Sequence, residues 1–203
     1  MSNQIARIVN ILFHPFLLPF YLFVILLNYH LGDPRAFLMK GKLIIEGMVL
    51  LTTAVLPYVT NYFLFTRKLI SSMSIEKRTE RIYPLLNASI FYYLTYYLLK
   101  GIEIPPIYSY VMLAWTLVVI CTVVINLFHK ISIYMVNMGS ITGILLGLTL
   151  GHGFALSYIS IFFILMTGIT GWARLFKETH KPSEIYTGVL LGFTVMFGLL
   201  YFL

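Results

Sequence analysis

Charge is scarce in this sequence. Only 10% of its 203 residues are Asp, Glu, Lys or Arg, where a soluble domain carries about 25%. So few charges cannot coat a water-facing surface, and the medium around most of the chain is expected to be lipid. Acidic residues are scarcer still, seven against fourteen Lys and Arg. Cysteine is nearly absent: Cys121 stands alone, which excludes an intramolecular disulfide. The histidines show no pair at a metal-binding helix spacing. His14, His30 and His152 are scattered, which argues against a zinc site. Alternation of apolar and polar residues in short strands is missing, so a membrane β-barrel is not indicated. Internal repeats and low-complexity tracts are missing too. The net charge of +7 does not gather into a basic stripe with interleaved aromatics, which speaks against nucleic acid as a partner.

What the sequence has is apolar runs. Apolar residues make up 60% of the chain and aromatics 16%. A spanning helix needs about 20 mainly apolar residues, and seven apolar segments follow one another. They run over about 5–27, 43–65, 84–99, 106–128, 131–150, 154–176 and 184–203. Lipid offers no hydrogen bonds to an exposed backbone, so all should be helices. The expected fold is all-α, a polytopic helical bundle of six to seven spans forming one membrane domain over residues 1–203. The first segment holds Pro15 and Pro19 and ends in Asn28-Tyr29-His30 without a small-residue cleavage site. It is expected to be retained in the membrane, kinked or partly re-entrant.

Each span carries the chain to the opposite face. The connectors after the second, fourth and sixth segments therefore share a face. With the N-terminus, that face collects Arg7, Arg67, Lys68, Lys77, Arg78, Arg81, Lys130, Arg174, Lys177 and Lys181. The other face has Arg35, Lys40, Lys42 and Lys100. Ten against four places the three connectors on the cytoplasmic side.

Those connectors carry the candidate chemistry. In Ala173-Arg-Leu-Phe-Lys-Glu-Thr-His-Lys-Pro-Ser-Glu184, Pro182 suits the first turn of the last helix, since its missing N–H would be unpaired there anyway. That sets Glu184 in the first turn, with His180 before it. A helix N-terminus favours a phosphate through its free N–H groups and its dipole. Glu184 can accept a hydrogen bond from one ring nitrogen of His180, leaving the other as a nucleophile. Arg174 offers a planar fork to phosphate oxygens. Lys177, Glu178 and Lys181 read as ordinary solvated charges.

Lys77, Arg78 and Arg81 precede a helix, where cations oppose the dipole and call for a nearby anion. A polybasic patch for lipid headgroups is the plainer use of that cluster. Ser132 and the amides after it can donate to an oxyanion, and Lys130 adds charge. Gly139, Ser140, Gly143, Gly188 and Gly192 read as close-packing positions. Asn61, Asn87, Asn126 and Asn137 read as interhelical hydrogen-bonding residues. Glu46 reads as an interface residue beside Lys42.

In order and spacing, these connectors resemble the three signature motifs of the type 2 phosphatidic acid phosphatase superfamily. The family pattern is K-x6-R-P, then P-S-G-H, then S-R-x5-H-x3-D. Arg174, His180 and Glu184 fall in register with the third motif, with Ala173 for Ser and Glu184 for Asp. Pro182 and Gly188 also suit it. In the first, Arg81 suits the Arg, and either Lys77 or Arg78 stands for the Lys. In the second, Ser132 suits the Ser, Ile133 replaces Gly, and Tyr134 stands where the family has His. The motif-bearing core is about 67–192.

The resemblance implies a lipid phosphatase without a metal or other cofactor. His180 would be the nucleophile forming a phosphohistidine, and Glu184 its orienter. Arg174, Arg81, Lys77, Arg78, Ser132 and Lys130 would bind the phosphate. Tyr134 would sit in the proton donor's place, with His129 as a substitute. A phenol can donate a proton but is poorly matched to neutral pH. The expected substrate is a lipid phosphate or an isoprenyl diphosphate, and the expected location is the cell membrane. Membrane phosphatases of this family commonly face outward, against the charge bias above. A member that binds phospholipid headgroups without turnover is one alternative. A transporter is another, though it should show inverted repeats around a midplane site.

Overall fold

The computed structural model describes residues 2–29, 39–72, 78–176 and 181–203. Among them the chain is helical, with no strand. The helices are α1 (Ser2–Leu12), α2 (Leu18–Asn28), α3 (Met39–Leu50), α4 (Leu56–Thr66), α5 (Ile82–Lys100), α6 (Pro106–Phe128), α7 (Ile133–His152), α8 (Ser157–Phe176) and α9 (Pro182–Phe202). A π-helical turn, Leu51–Val55, joins α3 to α4, and a 3₁₀ turn, Thr79–Arg81, leads into α5.

Five helical stretches among the described residues are long and apolar enough to cross a membrane: 41–66, 106–128, 133–152, 157–176 and 182–202. The first and third of the seven expected segments do not join them. The first is two helices of eleven residues, each about 16 Å long, against a hydrocarbon core of about 30 Å. Proline explains the break. Pro15 cannot donate to a helix, and it pushes His14 out of helical conformation. Pro19 falls in the first turn of α2, where the missing N–H costs nothing. The third segment does form a helix, α5, but Asn, Ser, Thr and several Tyr dilute its apolar character.

The chain divides into two compact units, residues 1–18 with 124–203, and residues 19–123. In the second unit, polar side chains tie helices together. Asn87 on α5 donates to the side-chain oxygen of Asn61 on α4 at 3.1 Å and to the carbonyl of Pro57 at 3.3 Å. Thr95 donates to Thr52 at 2.8 Å, where the π turn faces α5. That turn has a local cause. A proline ring collides with the carbonyl four residues back, and Pro57 follows two residues after the turn. Leu56 N–H reaches five residues back, to Leu51, a wider turn of the kind that relieves such crowding. Near the start of α5, Glu80 accepts from both the backbone N–H and the hydroxyl of Ser71, at 2.6 and 2.7 Å.

The first unit is built around α7, the most buried of the five spans. α1 lies along α8, with Val9 and Phe13 packed against Ala173. α7 and α9 run side by side in the same direction, so close that glycine is required at the crossing. A β-carbon on Gly143 would lie 2.7 Å from the Phe193 carbonyl oxygen, and one on Gly188 would lie 2.9 Å from that of Ser132. Gly192 meets the Val136 carbonyl still more closely. Lipid gives helices no hydrophobic reason to associate, so this pair is held by close van der Waals packing, which small residues permit.

Candidate functional site

The α7 start is fixed by Ser132. Its backbone is extended (φ −82°, ψ 105°), the conformation of a helix cap. Its carbonyl accepts from the N–H groups of Met135 and Val136, each at 3.0 Å. Its own N–H donates to the Glu184 carbonyl at 3.0 Å. The first turns of α7 and α9 are therefore bonded to each other, and Gly188 lets them approach by passing the Ser132 carbonyl. The Ser132 hydroxyl does not cap its own helix. It is fully buried and has no hydrogen-bond partner among the described residues. Leaving such a group unpaired costs about 1–3 kcal/mol, so the position suits a ligand that brings an acceptor oxygen.

α9 opens as the proline spacing predicts. Lys181 is the cap, Pro182 the first helical residue, and Glu184 lies in the first turn, its N–H donating to the Lys181 carbonyl at 3.0 Å. The Glu184 side chain is buried and stands 4.0 Å from the ammonium of Lys130, which is about one-third exposed. Arg174 closes α8, where a cation complements the helix dipole. Its guanidinium carbon lies 4.3 Å from the centre of the Tyr134 ring, a cation–π contact.

Lys130, Ser132, Tyr134, Arg174 and Glu184 thus sit at one end of the α7–α8–α9 unit. The opposite end is marked by His152, whose Nε2 lies 2.9 Å from the Leu200 carbonyl oxygen. Two further buried polar atoms, the Thr170 hydroxyl and the Asn10 side-chain oxygen, have no hydrogen-bond partner among the described residues. Thr170 stands one turn before Arg174 on α8.

Arg81 and Arg78 belong to the second unit. Arg81 is buried at the end of the 3₁₀ turn, and Arg78 is exposed just before it. His180, Lys77 and Lys177 lie outside the described residues. His129 is exposed at the end of α6. The imidazole that touches Tyr134 is instead His14, edge-on, with ring centres 5.9 Å apart. His14 was one of the scattered histidines of the sequence. The available signal was the Pro15 break, which places a non-helical residue beside the end of α8 once α1 lies along that helix. The Asn137 amide donates to the Ile133 carbonyl of its own helix at 2.9 Å.

Comparison of the chain with protein-family models, with curated proteins and with solved structures gives no match.

Proposed function

We propose that this protein is a cell-membrane phosphatase that hydrolyses a lipid phosphomonoester or diphosphate. The observation that carries the reading is the hydrogen bond from Ser132 N–H to the Glu184 carbonyl, with Arg174 against Tyr134 beside it. It joins two motif-like stretches about fifty residues apart into one polar end of a helical unit, with a buried, unpartnered hydroxyl inside it.

In this reading the phosphoryl group lies at the α7 N-terminus. The Ser132 hydroxyl and the first α7 amides donate to its oxygens, and Arg174 and Lys130 neutralise its charge. His180 attacks phosphorus while Glu184 holds the other ring nitrogen. The phosphorus–oxygen bond to the lipid breaks, its electron pair leaves on that oxygen, and the phosphoryl group stays on the imidazole. Water then cleaves the phosphorus–nitrogen bond, releasing phosphate and restoring His180. Positioning and charge stabilisation supply most of the catalysis in such transfers. The lipid tails remain in the bilayer.

The test is a substrate panel on the purified protein: phosphatidate, phosphatidylglycerol phosphate and isoprenyl diphosphates, with His180→Ala as control. Release of phosphate by the parent chain and its loss in the variant support the reading. Tyr134 favours a second reading, in which the site binds headgroups without turnover. Headgroup binding with no release from any substrate would establish that one.

A further inference from the structure

The geometry points to His14 as a further anion-binding residue of this site, its Nε2–H donating to an oxygen of the bound phosphoryl group. The inference rests on reading the Ser132–Arg174 cluster as an anion site.

His14 stands in the break between α1 and α2, just before Pro15. Its Nδ1 accepts the backbone N–H of Phe16 at 3.4 Å, and the two rings meet edge-on at 5.2 Å. A ring nitrogen that accepts cannot carry the hydrogen, so in the neutral imidazole the proton sits on Nε2. Nε2 makes no hydrogen bond among the described residues. The ring is edge-on to Tyr134, the same ring that carries the Arg174 guanidinium. One aromatic side chain therefore contacts both an imidazole and a guanidinium, two residues along from the buried Ser132 hydroxyl. Desolvation by burial lowers the pKa of His14 from its ordinary value, which agrees with a neutral ring. A neutral donor suits this position. It adds a hydrogen bond to an anion without setting a second cation beside Arg174 while the site is empty.

A purely packing role would need the ring and not its N–H. The two are separated by His14→Phe, which keeps a ring, and His14→Gln, whose amide N–H falls near the place of Nε2–H. The measurement is the affinity of full-length protein in detergent for inorganic phosphate, by calorimetry. A hydrogen bond to a charged group is worth enough to change affinity about tenfold or more. The expected result is a loss of about tenfold in His14→Phe and a return to within about threefold of the parent in His14→Gln. Equal losses in both variants, or none in His14→Phe, overturn the proposal. Arg174→Ala separates this failure from that of the site reading. If Arg174→Ala lowers phosphate affinity while His14→Phe does not, only the role of His14 falls. If the parent chain binds no phosphate, both fall. Should His14→Phe not fold, the ¹⁵N shifts of labelled histidine decide the matter. Phosphate must move the Nε2 signal assigned through His14→Gln, and an unmoved signal overturns the proposal.

Discussion

Arg174 and Tyr134 are partners across two helices, the guanidinium carbon of one lying 4.3 Å from the ring centre of the other. The pairing holds a cation near the α7 N-terminus by means of the residue that, in the proposed phosphatase, stands in the proton donor's place. Tyr134→His separates the two roles. In the proposed reaction it puts an imidazole where the leaving group would be protonated. General acid catalysis contributes about 10²–10⁴-fold, so the variant is expected to raise kcat on a phosphomonoester by at least about tenfold. It should change kcat much less on a diphosphate, whose leaving group departs without help. Steady-state rates on the two substrate classes check this, and a fall on both would contradict it.

The α7–α9 crossing predicts a contrast between glycines. Alanine at Gly192 or Gly188 places a methyl group into backbone of the facing helix. Overpacking of this kind typically costs about 1–3 kcal/mol. Gly198 on α9 and Gly168 on α8 have open space where a β-carbon would stand. Alanine there should be neutral or slightly stabilising, since glycine is the poorer helix former by about 1 kcal/mol. Thermal denaturation of the four variants in one detergent measures the contrast. Similar midpoints for all four would mean that the helices are not in backbone contact.

Burial of His14 makes stability depend on pH. Its pKa in the folded protein is lowered from 6.5, so below that value the unfolded chain binds a proton that the folded chain resists. Stability from this group is complete above about pH 6.5 and falls as the pH drops towards the folded pKa. The thermal midpoint should therefore decline as the pH falls below about 6.5, more steeply in the parent chain than in His14→Gln. Parallel curves for the two proteins would remove His14 as the cause.

In the second unit, Asn87→Leu removes hydrogen bonds to α4 while keeping the bulk of the side chain. Interhelical hydrogen bonds in membranes average about 0.6 kcal/mol and reach about 1.7. A loss of about 1 kcal/mol is expected, measured as the shift in unfolding midpoint in mixed micelles. A loss several times larger would mean that the Asn61–Asn87 contact organises the whole unit.

Much of this architecture was legible because the bilayer leaves few choices. The fourth segment, 106–128, matches α6 end to end, and the others that became spans agree within a few residues. Pro182 announced the start of α9 for a reason local to its own missing N–H. The glycines announced close helix packing, though not that α7 and α9 would be the pair. The Asn61–Asn87 bond was legible in kind, as two amides with nothing else in lipid to bond. In the first segment Pro15 and Pro19 marked a kink, but not that the segment would divide into two helices of eleven residues. The π turn was hidden as well, since Pro57 marks that a helix must adjust without saying how. His14 was missed because its partner, Tyr134, is distant in sequence, and the contact exists only once α1 lies on α8. Composition carries no record of such a meeting.

The central claim is that His180 takes a phosphoryl group from a lipid. It is tested most directly by incubating purified protein with lipid substrate labelled with ³²P at the phosphate, quenching rapidly, and measuring label on the polypeptide. The account predicts a label that is stable to alkali, is lost in acid, and is absent from His180→Ala. Turnover of the substrate with no such label, or an equal label on His180→Ala, would contradict it.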